Sequence, residues 1–159
     1  MKIGVMSDTH LREVTEELKK VVEGIFSGTD MILHAGDIVS PAVLNYLNSA
    51  RVIAVSGNMD FYDTAQALPS KRIVKAGKFK IGLIHGWGSP HGLAQKLRKE
   101  FDEIDCLIFG HSHRPLNSQV GSELYFNPGS MTFGSRSHKR SVGMLQINDT
   151  IQGEIIALD

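Results

Sequence analysis

The segment KIGVMSDTH (2–10) sets the pattern that decides the fold. An apolar, strand-like run ends abruptly in Asp8-Thr9-His10, so an acid and an imidazole follow a buried strand. The next segment, EVTEELKKVVEGIFS (13–27), has apolar residues at helical spacing, and a second strand, MILH (31–34), follows it. This order predicts an α/β unit with polar side chains at the carboxyl ends of its strands.

The rest of the chain continues this alternation and then becomes rich in β-strands. Ser40-Pro41 is a helix start, because a capping residue precedes a proline at the first helical position. The remaining predicted elements are a short helix to residue 48, a strand over 51–56, a hairpin over 71–85 joined at KAGK, a helix over 91–102, and strands at 106–109, 123–127, 142–148 and 151–158. We expect the last third to be mostly antiparallel. The pattern predicts one α/β (α+β) domain over 1–159, with two sheets packed face to face and helices outside.

Composition excludes several classes of protein. The chain has 159 residues, 42% hydrophobic, with 17 basic and 17 acidic side chains, which argues against disorder and against a strongly basic nucleic-acid binder. The single cysteine, Cys106, lies in an apolar run and indicates no disulfide. No apolar stretch approaches the ~18 residues of a membrane span, and no signal peptide pattern follows the start. We therefore expect a cytoplasmic protein with neither membrane nor nucleic acid as a partner.

Five predicted strand ends carry side chains that bind divalent metals. They are Asp8-Thr9-His10, Gly36-Asp37, Gly57-Asn58-Met59-Asp60, His85-Gly86 and Gly110-His111-Ser112-His113. Carboxylate, imidazole and amide oxygen ligands suit manganese, iron, nickel or zinc. The absence of thiolates favours an open catalytic site over a closed structural zinc site. Each motif is weak alone, but their convergence predicts a metal centre.

Taken in order, D-x-H, G-D, G-N-x-D, H-G and G-H-x-H resemble the calcineurin-like metallophosphoesterase superfamily. The small size and the sequence NPGS (127–130) resemble its YfcE-like phosphodiesterase branch. The resemblance covers essentially the whole chain and implies a four-layer αββα sandwich of two mixed β-sheets flanked by helices. It also implies two divalent metal ions per chain, for which we expect manganese first and nickel, iron, zinc or magnesium as alternatives.

The resemblance divides the seven expected ligands into two groups and a bridge. Asp8, His10 and His113 would hold one metal, Asn58, His85 and His111 the other, and Asp37 would bridge both. We expect GHSH to be a turn in which His111 and His113 each reach a metal. Gly110 and Pro115 favour such a turn.

The expected activity is hydrolysis of a small phosphodiester by a hydroxide that the two metals share. We expect Asn58, Asp60 and His111 to take part in catalysis, with Asp60 orienting Asn58 or a histidine rather than binding metal. Met59 stands where many superfamily members carry a histidine that resembles a general acid. Methionine cannot donate a proton, so substrates with good leaving groups, such as aryl diesters, should react best.

Three further side chains are candidates for substrate binding: Arg114, Arg136 and His91. Arg114 adjoins His113, Arg136 lies in a run that also fits a solvated loop, and His91 is a candidate acid for the leaving group. The alternatives to a phosphodiesterase are a phosphomonoesterase or nucleotide phosphatase and, in another class, an interaction scaffold. The retromer complex contains such a scaffold, a subunit of this fold with a degraded metal site. Exposed β-strand edges would allow a homodimer.

Overall fold

The computed structural model describes residues 1–136 and 138–158, and within them ten strands form two five-stranded sheets. The strands are β1 (Lys2–Met6), β2 (Met31–His34), β3 (Val52–Ala54), β4 (Lys71–Ala76), β5 (Phe79–Ile84), β6 (Cys106–Ile108), β7 (Leu116–Val120), β8 (Glu123–Asn127), β9 (Ser141–Ile147) and β10 (Ile151–Ala157). The first sheet has the order β10-β9-β1-β2-β3 and the second the order β4-β5-β6-β8-β7.

Both sheets are mixed. In the first sheet, β1, β2 and β3 are parallel to one another. On the other side of β1, β9 is antiparallel to β1 and β10 is antiparallel to β9. In the second, β6 is parallel to both β5 and β8, with β4 and β7 antiparallel at the edges. The C-terminal third is mostly antiparallel, as expected, and the exception is the parallel pairing of β8 with β6. The unpredicted strand β7 takes the edge, and the chain turns back so that β8 enters the sheet parallel to β6.

The helices are α1 (Glu16–Lys19), which continues as a π-helical segment (Lys20–Ile25), α2 (Pro41–Ser49), α3 (Tyr62–Ala67) and α4 (Leu93–Arg98). The predicted cap of α2 is confirmed, since Ser40 Oγ accepts a hydrogen bond from the Val43 N–H at 3.3 Å.

The α-helix expected over 13–27 is wrong in its second half. There the Phe26 N–H donates to the Val21 carbonyl oxygen, five residues back, at 2.9 Å. The wider turn seats the Phe26 ring directly on Gly4 of β1, where an added Cβ would lie only 2.6 Å from the ring.

Apolar side chains fill three layers of packing. One cluster, which includes Ile3, Leu33 and Phe126, lies between the sheets. A second joins the outer face of the first sheet to α1, the π-helical segment and α2, and a third joins the second sheet to α4. The predicted four-layer αββα sandwich is confirmed. No helix in the described part of the chain is long and apolar enough to cross a membrane.

Candidate metal centre

The loops that follow β1, β2, β3, β5 and β6 converge and bring the seven expected ligands together. We call Asp8, His10 and His113 the Asp8 group, and Asn58, His85 and His111 the Asn58 group. The Asp37 carboxylate lies between them, because its Oδ2 is 3.5 Å from His10 Nε2 and 3.2 Å from His85 Nε2. Strand ends from both sheets thus meet and bring together side chains that lie more than a hundred residues apart in the sequence.

The Asp8 group surrounds a fully buried carboxylate. Asp8 Oδ1 lies 3.2 Å from His113 Nε2 and 3.7 Å from His10 Nε2, and the two Nε2 atoms are 3.2 Å apart. Within the described residues, Oδ1 is a buried atom without a hydrogen-bond partner. Burial would raise the pKa of Asp8, but the neighbouring imidazoles of His10 and His113 outweigh it and hold the pKa below its usual range. A buried carboxylate oxygen of this kind is costly unless a cation binds it.

In the Asn58 group, hydrogen-bond acceptor atoms of the three side chains face one another. His85 Nδ1 lies 2.7 Å from the Ala35 carbonyl oxygen, and His111 Nε2 lies 2.9 Å from the Gly88 carbonyl oxygen. A carbonyl oxygen only accepts, so those two nitrogens carry protons and donate. The other ring nitrogens, His85 Nε2 and His111 Nδ1, lie 3.1 and 3.0 Å from Asn58 Oδ1. In the neutral rings these atoms direct lone pairs at an amide oxygen, an arrangement that a cation would satisfy.

The charges around His85 lead to the same conclusion. Burial lowers the pKa of this imidazole, but Asp37 and Asp8 outweigh burial, so the pKa is raised above its ordinary value. The negative field that would hold a proton there also attracts a metal ion. Among the histidine, cysteine and acidic side chains of residues 1–136 and 138–158, two sets of donor atoms lie close enough to hold an ion: Asp8, His10 and His113, and Asp8, Asp37 and His85. The donor chemistry therefore fits divalent metal binding.

Five of the seven expected ligands have left-handed backbone conformations, with φ values of +52° for Asp8, +46° for His10, +58° for Asp37, +67° for His111 and +57° for His113. Residues other than glycine rarely adopt such angles, and clusters of them mark functional sites. The values at His111 and His113 confirm that GHSH is a turn. In this turn both imidazoles approach the centre, one beside Asn58 and one beside Asp8.

The sequence NPGS holds two of the ligand loops, a function that the sequence analysis missed. The buried Asn127 donates from Nδ2 to the Gly110 carbonyl oxygen at 2.9 Å and to Ser112 Oγ at 3.1 Å. The buried Ser130 donates from Oγ to the Asp8 carbonyl oxygen at 2.7 Å. The signal was available, since these polar residues also end a buried strand, as do the ligand motifs.

Asp60 links the loops that carry Asp37 and Asn58. Its Oδ1 accepts from the Val39 N–H at 2.6 Å, and its Oδ2 accepts from the Gly57 N–H at 2.7 Å. The next residue back, Met59, donates its N–H to Asp37 Oδ1 at 2.8 Å and leaves its side chain 56% exposed. A thioether therefore occupies the position beside Asn58.

The three candidates for substrate binding, Arg114, Arg136 and His91, are all exposed. The Arg114 N–H donates to Ser112 Oγ at 3.3 Å, which places this residue beside the GHSH turn. His91 donates its N–H to Ser89 Oγ at 3.2 Å in the loop before α4. Their roles stay predictions.

Comparison with known proteins leads to the same family. Residues 1–150 match the calcineurin-like phosphoesterase superfamily domain. The chain belongs to this superfamily. It is 40% identical over 164 residues to a probable metallophosphoesterase of Methanocaldococcus jannaschii, an alignment that covers 100% of this chain and 82% of that protein.

Two solved structures extend the comparison to three dimensions. YfcE, a phosphoesterase from E. coli, is 25% identical with a TM-score of 0.72, and the match covers 100% of both chains. Vps29 of Entamoeba histolytica, in complex with Zn²⁺, is 26% identical with a TM-score of 0.72 and the same full coverage. These matches confirm the resemblance to calcineurin-like phosphoesterases and to YfcE.

Proposed function

We propose that this superfamily member is a phosphodiesterase that hydrolyses small phosphate diesters at a centre of two divalent metal ions. The observation that carries the proposal is the position of Asp37 Oδ2, 3.5 Å from the His10 ring and 3.2 Å from the His85 ring, between two groups of nitrogen and oxygen donors. A carboxylate in this position can serve two cations at once. The similar E. coli protein is a phosphoesterase, and the similar Vps29 binds Zn²⁺.

In this proposal the Asp8 group would hold one ion, the Asn58 group would hold the other, and the Asp37 carboxylate would be a ligand shared by both. The ions, when bound, lower the pKa of a water molecule to supply the nucleophile and neutralise charge on the phosphate. Asn58 directs its amide oxygen toward the imidazoles of His85 and His111, so its amide nitrogen can donate to a phosphate oxygen. Asp60 positions the loop of Asn58 through its hydrogen bonds to Gly57 and Val39.

The Met59 side chain decides which substrates react well. A thioether has no proton for the departing oxygen, so the leaving group must depart as a stable anion. Aryl esters satisfy this requirement, and alkyl esters do not. Arg114 and Arg136 are proposed to contact the phosphate or its substituents, and His91 is a further candidate for substrate contact.

The test begins with metal-stripped protein, to which manganese, nickel, iron, zinc or magnesium is added back singly. Each preparation is assayed with bis(p-nitrophenyl) phosphate and with p-nitrophenyl phosphate, and a His111→Ala preparation controls for contaminating hydrolases. We expect faster hydrolysis of the diester, with manganese giving the highest rate. Preference for the monoester would instead indicate a phosphomonoesterase or nucleotide phosphatase. Inactivity on both esters with every metal would contradict an enzyme and favour an interaction scaffold.

A further inference from the structure

A cavity of about 200 Å³ adjoins the candidate metal centre on the side of the Asn58 group. Asn58 and His85 form part of its wall, so a phosphate at the centre would lie at its mouth. Trp87 lines another part, and Lys71 and Glu100 lie on the cavity surface as well. A cavity of roughly 150 Å³ is large enough to bind benzene in another protein, so this one has room for a single aromatic ring.

The loop that carries Trp87 is held through its backbone, and the indole remains half-exposed, at 46%. Lys96 Nζ lies 4.8 Å from the ring centroid and also donates to the Trp87 carbonyl oxygen. The next residue, Gly88, accepts a hydrogen bond from His111 Nε2 at 2.9 Å, which ties this loop to the Asn58 group. A half-exposed indole on a loop held in this way offers an aromatic ring a stacking surface at little entropic cost.

Lys71 and Glu100 give the cavity a polar but neutral boundary. Lys71 Nζ lies 3.3 Å from Glu100 Oε2 and donates to the Glu100 carbonyl oxygen at 2.7 Å. The lysine charge is therefore balanced within the wall by the Glu100 carboxylate. The cavity thus favours a neutral ring over an anionic substituent.

We propose that this cavity binds a neutral aromatic ring on the ester group that stays attached to phosphorus, with Trp87 as its stacking wall. The inference rests on the proposed phosphodiesterase function and deepens it, because it names the class of substrate as diesters whose retained ester is aromatic. Trp87 is then a residue that determines specificity through direct contact with the substrate.

The kinetic test uses two substrates with the same leaving group, bis(p-nitrophenyl) phosphate and methyl p-nitrophenyl phosphate. The wild-type protein should prefer the first in kcat/KM, and Trp87→Ala should reduce this preference by about 3- to 10-fold, the range expected for one aromatic contact. Trp87→Phe should keep most of the preference. Tyr62→Ala, which removes the most exposed aromatic ring at 77%, is the matched control and should leave the preference unchanged. An unchanged preference in Trp87→Ala would overturn the proposal.

A binding measurement separates this proposal from the phosphodiesterase itself. Trp87 is the single tryptophan of the chain, so tryptophan emission reports on this cavity directly. The probes are methyl phenylphosphonate, which carries a phenyl group that cannot be hydrolysed from phosphorus, and methyl methylphosphonate, which lacks the ring. Only the first should change the emission, and the change should saturate.

Equal responses to the two probes, or no response at concentrations of the phenyl compound that inhibit turnover, would overturn the aromatic site. Failure to hydrolyse any diester together with a ring-dependent emission change would overturn the proposed function and retain the cavity as a site for aromatic rings.

Discussion

The two groups of expected ligands are held by the fold in different ways. Asp8 is fully buried, and its backbone carbonyl accepts a hydrogen bond from Ser130 in the interior. Asn58 is exposed, and its loop is held by the Asp60 carboxylate through two backbone N–H groups. Asp8 is thus part of the buried polar network, whereas Asn58 faces solvent. His85 of the Asn58 group is itself buried, so the contrast lies in how the two loops are supported.

This difference indicates how one site can keep the same reaction while its substrate preference changes. A buried network tolerates little change, because each lost partner leaves an unsatisfied polar group. An exposed loop tolerates substitution at lower cost, and Met59 and Trp87 both lie on the Asn58 side. We therefore expect ligand substitutions to abolish activity and substitutions near Asn58 to change substrate preference.

The largest effect is expected at Asp37, which contacts both groups. Asp37→Asn keeps the size of the side chain but removes the charge that faces His10 and His85. Because both ions would lose a ligand, diesterase activity should fall by more than the roughly 10- to 100-fold typical of residues behind the ligands. Asp63→Asn, at an exposed position of α3, is the control and should retain full activity. A fully active Asp37→Asn protein would remove Asp37 from the site.

The two ligand groups are held by different residues, so a substitution that weakens one group should lower the affinity for one metal ion and not for the other. Ser130→Ala removes the shorter of two side-chain hydrogen bonds to the Asp8 carbonyl, and Asp60→Asn weakens the contacts of the Asn58 loop. Each should reduce the affinity of one ion by about 10- to 100-fold and change the other little. Calorimetric titration of metal-stripped protein gives the two affinities, with Ser49→Ala on the exposed end of α2 as the control. Equal losses at both ions in each variant would contradict independent support.

A smaller, selective gain is expected from Met59→His. The new imidazole would stand beside Asn58 and supply the proton that a poor leaving group needs. General acids contribute about 10²- to 10⁴-fold in evolved sites, so an introduced histidine should raise the rate for a phenyl ester by roughly 10-fold relative to a p-nitrophenyl ester. Met59→Leu, which also lacks a proton, should leave the ratio unchanged. If the wild-type protein hydrolysed alkyl and aryl esters equally well, the proposed consequence of Met59 would be wrong.

The meeting of strand ends from two sheets depends on how the sheets pack. The position of each ligand motif at the carboxyl end of a strand, where ligands bind in α/β sheets, was predictable from the sequence. The polar strand β7 was not, since LNSQV lacks the apolar alternation of a half-buried strand. The π-helical turn was missed for a different reason, because it depends on the space above Gly4.

Within the site, the sequence identified the expected ligands but not the residues that hold the ligand loops in place. Asp8, Asp37 and the histidines have side chains that bind metals and lie at predicted strand ends, and these two facts together indicate metal binding. Asn127 and Ser130 act through hydrogen bonds to the backbone of loops distant in sequence, at Gly110 and Asp8. Such partners are set by tertiary packing and leave no periodic pattern in the chain.

The last expected effect, on stability rather than on activity, concerns His34, which lies buried beneath the Asp8 group. Its Nδ1 accepts from the Gly36 N–H at 3.1 Å, and its Nε2 lies 3.3 Å from Thr9 Oγ1. Burial is the main cause that lowers the pKa of His34 to about 3, against an ordinary value of 6.5 in the unfolded chain. Between these values the unfolded state binds the additional proton. The contribution of His34 to the free energy of unfolding should therefore fall as the pH falls below 6.5, by up to about 1.4 kcal/mol per pH unit.

Urea unfolding of the metal-stripped protein between pH 7 and pH 4 measures this contribution. His34→Gln keeps a donor and an acceptor but cannot titrate, so its free energy of unfolding should depend less steeply on pH than that of the wild-type protein. The exposed His91 supplies the matched variant, His91→Gln, which should follow the wild-type curve. Parallel curves for wild type and His34→Gln would mean that His34 takes up its proton without unfolding. The Asp8 side would then be more open to water than its hydrogen bonds indicate, and the contrast between the two groups would not hold.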